Sequence, residues 1–208
     1  MSESSCKRGL LIVLSGPSGV GKDTVLTKLL EYRVDCFVSL SATTRTPRNG
    51  EVDGVSYSFV TEQQFDEIVN SGGMLEYAQF SGNKYGTPAK PVEDMRNSGT
   101  HVILKIEVQG AAEIREKCPD AIFVFIVPPN MSALYDRLRG RGTESDADVK
   151  IRMDTAIKEL ATAEQYDYII VNDRIEKSVA KLSAIITAAD CRVERVSDLI
   201  KTITQEGL

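Results

Sequence analysis

Soft metal ligands are scarce in this chain of 208 residues: one histidine, His101, and four scattered cysteines, Cys6, Cys36, Cys118 and Cys191. There is no Cys-x-x-Cys pair and no second histidine, so no spacing suits a zinc site. His101 is expected at the start of a strand, without a catalytic role. The cysteines read as reduced thiols of a cytoplasmic protein. Long apolar runs are missing too. The run Leu10–Leu14 is too short for a signal peptide, and nothing approaches a membrane span. Excess positive charge is absent: 25 Lys and Arg stand against 30 Asp and Glu, for a net charge of −5. Non-specific nucleic-acid binding is therefore not expected, nor is a membrane partner. No internal repeat or low-complexity tract is present. At 42% hydrophobic and 26% charged residues, the composition is that of an ordinary soluble domain. The length allows one core with small inserted subdomains.

Short apolar runs alternate with helical patterns. Strands are expected near 10–14, 37–40, 56–60, 102–107, 121–127 and 168–171. Helices are expected near 22–31, 62–71, 90–98, 109–117, 131–139, 147–164 and 174–203, the last with a candidate break near Asp190. Thr61-Glu62-Gln63-Gln64 has the form of a capping box. Pro119 ends the helix before it. Residues 1–8 are expected to be polar and loosely held. Alternation of this kind predicts a parallel sheet covered on both faces.

Residues 16–22 read Gly-Pro-Ser-Gly-Val-Gly-Lys, directly after an apolar strand and before helix formers. This is the G-x-x-x-x-G-K pattern of a phosphate-binding loop. Glycines let the backbone close around an oxyanion, and the following helix presents its positive end. Lys22 brings a charge to the outer phosphates, so a nucleoside triphosphate is the expected ligand. The residue after the lysine is Asp23 rather than the usual Ser or Thr, and Thr24 follows. An Asp can also hold Mg²⁺ through oxygen, which makes Asp23 the candidate metal ligand.

A second basic cluster follows. Arg45 and Arg48 lie three apart among the turn residues Pro47, Asn49 and Gly50, with Tyr57 beyond. Two arginines in a loop are ordinarily solvated. Beside a phosphate loop, their planar groups suit a second phosphorylated ligand.

From Ser39 to Tyr57 the chain matches S-x-S-x-T-T-R-x-P-R-x-G-E-x-x-G-x-x-Y, which, with the loop at 16–22, resembles guanylate kinases. The match continues through Gly73–Phe80, Tyr85-Gly86-Thr87, Glu107-Val108-Gln109-Gly110, Arg137–Thr143, Arg152 and Ile170–Asp173, covering about residues 9–190. The resemblance implies an α/β P-loop NTPase fold and transfer of the ATP γ-phosphoryl to GMP, with Mg²⁺. It divides the chain into a core at 9–38, 90–129 and 166–208, a GMP-binding insert at 39–89 and a lid at 130–165. ATP is expected on Gly16, Pro17, Ser18, Gly19, Val20, Gly21, Lys22, Asp23 and Thr24, with Asn172 near the adenine. GMP is expected on Ser41, Arg45, Arg48, Glu51, Tyr57, Glu76, Tyr85, Gly86, Thr87 and Glu107. Of these, Glu76 and Glu107 would face the guanine N1–H and amino donors and Ser41 the O6 acceptor. Such a pocket leaves buried groups unpaired with adenine, a mismatch worth roughly 10⁴–10⁵ in discrimination. Arg45, Arg48, Tyr57 and Tyr85 would hold the GMP phosphate, with Glu51 orienting the arginines. Lys22, Arg137, Arg141 and Arg152 would neutralise the transferring phosphoryl.

Two positions depart from the resemblance. Asp23 replaces a hydroxyl, and Lys105 stands where an acidic residue is common, two before Glu107 on one strand face. The two are expected to compensate by pairing. Two other functions have their own signals. Ribose 1,5-bisphosphate phosphokinases look similar and often carry Gly-Lys-Asp, but should not need the guanine set. A phosphopeptide-binding module on the Arg45/Arg48 surface would tend to lose the phosphate loop. Assembly as a monomer or homodimer is expected; the long final helix permits a dimer.

Overall fold

The structure, a computed structural model, describes residues 7–48, 50–80, 82–140 and 146–206. Along the chain the elements are β1 (Leu11–Ser15), α1 (Lys22–Leu30), β2 (Cys36–Val38), β3 (Ala42–Thr43), β4 (Ser58–Phe59), α2 (Glu62–Asn70), β5 (Met74–Phe80) and β6 (Asn83–Pro88). There follow α3 (Ala89–Asn97), β7 (His101–Lys105), α4 (Val108–Lys117), β8 (Ile122–Val127), α5 (Met131–Arg139), α6 (Asp146–Leu160), a 3₁₀ turn at Ala163–Gln165, β9 (Tyr168–Val171), α7 (Ile175–Asp190) and α8 (Val193–Glu206).

β1 is buried along its whole length, as befits the middle strand of a parallel sheet covered on both faces. That sheet runs β2-β7-β1-β8-β9, with every neighbouring pair parallel. Successive residues of β1 feed opposite layers. Ile12 and Leu14 pack with Val25 and Leu29 of α1 and Leu182 and Ile186 of α7. Leu11 and Val13 pack with Val92 of α3 and Ile114 of α4. A second sheet, β4-β3-β6-β5, has its own small core of Ala42, Phe65 and Met74. A further cluster, Leu134, Leu138, Val149 and Ala156, joins α5 to α6.

The apolar runs and helical periods land close to their expected places. Thr61 and Gln64 form the capping box of α2, each side chain bonding the other's backbone N–H. The long final helix breaks after Asp190, as α7 and α8. His101 opens β7, and its Nδ1 accepts from the Leu10 N–H at 3.1 Å. Burial is the largest influence on that imidazole and lowers its pKa. The polar lead-in is less loose than expected: Lys7 and Arg8 pair with Asp190 and Glu93. Residues 1–6 lie outside the described residues.

Three strands were not anticipated from periodicity: β3, β5 and β6. Their inward positions are not an apolar alternation. Glu76 and Thr87, both polar, are the buried cross-strand pair of β5 and β6. A strand whose inner face carries a site lacks the period-2 hydrophobic signal. Among the described residues no helix is long and apolar enough to cross a membrane.

Candidate active site

The loop between β1 and α1 closes because two of its residues can do what no side chain allows. Gly16 has φ 146°, and a Cβ there would stand 2.2 Å from the Ile126 carbonyl oxygen. Gly21, at φ 99°, caps α1 and would meet the Asn172 amide at 2.7 Å. The first turn of α1 thus points its free N–H groups into the loop. Lys22 folds its ammonium back over the Gly16 carbonyl and, at 3.4 Å, that of Pro17.

The outer side of this loop is held by groups from distant segments. Arg137, in the last turn of α5, donates to the carbonyls of Val20 at 3.1 Å and Asn172 at 2.9 Å. Arg152 of α6 reaches the Ser18 hydroxyl at 2.9 Å. Asn172 is 1% exposed, and both polar atoms of its side chain are engaged. Its amide donates to the Val20 carbonyl at 2.8 Å, and its oxygen accepts from Ser178 at 2.9 Å. Asn172 thus braces the loop. Arg141 lies outside the described residues. Arg139, the last residue of α5, is exposed.

Asp23 and Lys105 do pair. The Lys105 ammonium donates to Asp23 Oδ1 at 2.5 Å. Burial alone would lower its pKa, but attraction to Asp23 outweighs that, so the net shift is upward and the lysine stays charged.

Across from the loop, the second sheet presents a polar cluster. β5 and β6 pair Glu76 with Thr87 after a bulge at Leu75, whose carbonyl is taken by Lys117 at 2.8 Å. The bulge turns Glu76 inward, where it is 4% exposed. Burial pushes its carboxyl up to about 7, while the Thr87 hydroxyl, donating at 2.6 Å, partly offsets the rise. Thr87 therefore acts on Glu76. Gly110 of α4 makes room for this carboxyl; a Cβ there would stand 2.3 Å from Glu76 Oε2. Gly86 is buried on β6, and Ser41 is half-buried just before β3.

The arginine loop beside it is organised by Glu51. Its Oε1 accepts from the Arg45 guanidinium at 2.8 Å and its Oε2 from the Arg48 backbone N–H at 2.7 Å. The hydrogen bond from Arg45 holds the Glu51 carboxyl below its ordinary value, and the same bond raises Arg45. The Arg45 guanidinium lies 5.5 Å from the centre of the Tyr57 ring, and Tyr85 meets that ring edge-on at 6.2 Å. The Arg48 side chain is exposed.

Glu107 occupies the exposed N-cap position of α4. Its neighbour is a residue that no motif flagged. Glu159, near the end of α6, has its carboxyl pushed up to about 7, first by burial and then by the charge of Glu107; the charge of Lys22 and the Ser18 backbone N–H oppose this. Among the described residues, one of its oxygens, buried, has no hydrogen-bond partner. Glu159 belongs to none of the motifs quoted from the sequence, so only the fold brings it to the loop.

A phosphate loop at the carboxyl edge of a β2-β7-β1-β8-β9 parallel sheet defines a P-loop nucleotide-binding protein of the α/β class. The family model described as guanylate kinase matches residues 8–189. A guanylate kinase of Clostridium perfringens strain 13 is 47% identical over 191 residues, 92% of this chain and 88% of the relative. That of Latilactobacillus sakei is 48% identical over 200 residues, covering 96% of this chain and 98% of the relative. The crystal structure of guanylate kinase from Anaplasma phagocytophilum superposes with a TM-score of 0.76 at 34% identity, over 91% of this chain and 90% of that one. The chain belongs to the guanylate kinase family.

Proposed function

We infer that this member of the family transfers the γ-phosphoryl of ATP to GMP, giving ADP and GDP. The observation that carries the reading is the buried Glu76 carboxyl, set by a bulge, a threonine and a glycine-made space beside an Arg-Glu-Tyr cluster. Guanine offers a ring N–H and an amino group to a carboxylate; adenine turns a lone pair toward it. In the proposed assignment, Glu76 and Glu107 accept from guanine and Ser41 donates to O6. Arg45, Arg48, Tyr57 and Tyr85 hold the GMP phosphate. Glu51 orients the arginine loop, and Gly86 and Thr87 shape and orient the Glu76 wall. ATP lies along residues 16–24, with Asn172 bracing the loop.

An oxygen of the GMP phosphate attacks the γ-phosphorus. The bond from that phosphorus to the β–γ bridging oxygen breaks, and ADP leaves with the electron pair. Little covalent help is needed, so the work is alignment and neutralisation of spread charge. Lys22, Arg137, Arg141 and Arg152 are assigned to that neutralisation. Arg137 and Arg152 already rest on the loop, and their closing excludes water.

The residues present fit Mg²⁺. Asp23 offers an exposed hard oxygen at the mouth of the loop, with Thr24 beside it. Among the described residues no three acidic, histidine or cysteine side chains gather into a metal cage. That suits an ion held largely by nucleotide phosphates and water, with Asp23 as its protein ligand. When bound, the ion supplies charge neutralisation on the β- and γ-phosphates. The division into core, GMP-binding insert at 39–89 and lid at 130–165, a cytoplasmic location, and a monomeric or homodimeric state belong to the same proposal.

The test is Mg²⁺-dependent ADP formation with GMP, dGMP, AMP, UMP and ribose 1,5-bisphosphate offered separately. Activity confined to GMP and dGMP is expected. Activity only with the sugar bisphosphate, or none from folded protein, overturns the reading.

A further inference from the structure

Lys105 closes β7 in register with Leu14 of β1, so its side chain leaves the sheet beside the start of the phosphate loop. Its ammonium bonds Asp23. That pair is a weak end in itself. Asp23 is 77% exposed and stands in the first turn of α1, where the helix already favours a negative charge. Ion pairs with so exposed a partner contribute little to stability. Lys105, by contrast, is 28% exposed, and a half-buried ammonium is costly to keep without purpose.

Its second neighbour gives the purpose. The ammonium lies 5.9 Å from the centre of the Tyr57 ring, within range of a cation–π contact. The Arg45 guanidinium lies 5.5 Å from the same ring. The two cations come from different parts of the fold, one from the loop after β3, the other from the end of β7. Arg45 is already neutralised by Glu51, and Lys105 by Asp23. Each cation has its own carboxylate partner, and an anion placed at Tyr57 would be within reach of both cations. Burial raises the Tyr57 hydroxyl, which keeps it a donor, while Lys105 is close enough to pull it the other way.

We propose that Lys105 is a ligand of the acceptor phosphate, its ammonium passing from Asp23 to that phosphate when the nucleotide binds. The proposal rests on the assignment of the Arg45/Tyr57 cluster to the GMP phosphate. It gives the lysine a role of its own beyond compensating Asp23, and it frees the Asp23 carboxylate as the nucleotide arrives.

Calorimetric binding of GMP, AMP and guanosine, without ATP, separates these roles. It is measured for the native chain, Lys105→Met, Asp23→Ser and the double variant, each checked for folding by circular dichroism. Lys105→Met should weaken GMP binding about tenfold or more, the scale of one hydrogen bond to a charged group. Guanosine binding should not change, and the loss should persist in the Asp23→Ser background. A loss that vanishes once Asp23 is gone means that Lys105 acts only through Asp23, and overturns the proposal. So does a loss shared by guanosine, which marks a distorted pocket. A native chain that binds GMP no better than AMP would instead defeat the guanine reading, while the GMP-against-guanosine difference still judges Lys105.

Discussion

Around the phosphate loop, most of what is held is main chain. The Val20 carbonyl takes hydrogen bonds from Arg137 and Asn172, the Gly16 carbonyl takes one from Lys22, and the glycine torsions do the rest. On the opposite sheet, it is side chains that hold side chains: Thr87 holds Glu76, and Glu51 holds Arg45. The first arrangement needs a contiguous run of residues and a few distant braces. The second needs a bulge, a cross-strand register and a glycine on a neighbouring helix. A phosphate can be met by any backbone that turns its N–H groups inward. A purine edge must be met by particular atoms at particular places, so that half is built from side chains and is sensitive to what surrounds them.

Removing Lys22 should break the comparison most severely. Lys22→Met takes a preorganised charge from the transferring phosphoryl and should lower kcat/KM about 10²–10³-fold, read by steady-state ADP formation. GMP binding measured without ATP should barely move, which separates the two halves.

Glu76→Gln comes next. Losing a charged acceptor should lower kcat/KM for GMP by about 10–100-fold, read by steady-state ADP formation. The same change sharpens the comparison through pH. Accepting the guanine N–H needs the carboxylate, and burial holds that carboxyl at about 7. GMP affinity should therefore fall about tenfold per unit as pH drops below that value, and the variant should lose this part of the slope. Stability runs the other way. The folded chain keeps a proton that the unfolded chain releases at the ordinary value of 4.5, so the Glu76 contribution is most favourable below 4.5 and declines as pH rises to about 7. The thermal midpoint of the variant minus that of the native chain should grow across that window and level off above it.

Gly110→Ala tests the space made for Glu76 from the helix side. A Cβ 2.3 Å from its carboxyl oxygen must displace it, and KM for GMP should rise about tenfold with KM for ATP unchanged. An equal rise for both substrates would show that the two halves are not held independently. The smallest effect belongs to Thr61→Ala. It removes the capping box of α2 at a cost of about 1 kcal/mol in stability, seen as a lower thermal midpoint with unaltered kinetics.

The two halves also differ in how well the amino-acid sequence announces them. The loop at 16–22, β1 and the capping box of α2 are local, and each can be recognised from consecutive residues. β5 and β6 could not be found from periodicity, because Glu76 and Thr87 occupy inward positions where an apolar residue would give the signal. The resemblance to guanylate kinases named most of the residues there, and Glu51 as the one orienting the arginines, without revealing what holds Glu76. It placed Asn172 near the adenine, and that its side chain bonds Val20 and Ser178 emerged only with the fold. Glu159 escaped notice because a carboxyl on a helix face has no local mark; its place beside Ser18 and Glu107 follows from how α6 crosses the loop.

The sequence by itself determined the phosphate loop, a parallel sheet of buried strands covered on both faces and the family, since these depend on backbone torsion, short-range hydrophobic period and contiguous motifs. Tertiary structure alone decided that Glu76 is held near neutrality, that Lys105 reaches Tyr57 besides its expected partner Asp23, and that Asn172 braces the loop. Those properties come from burial and from approach between residues far apart in the chain. Burial and approach exist only once the sheets and helices have packed.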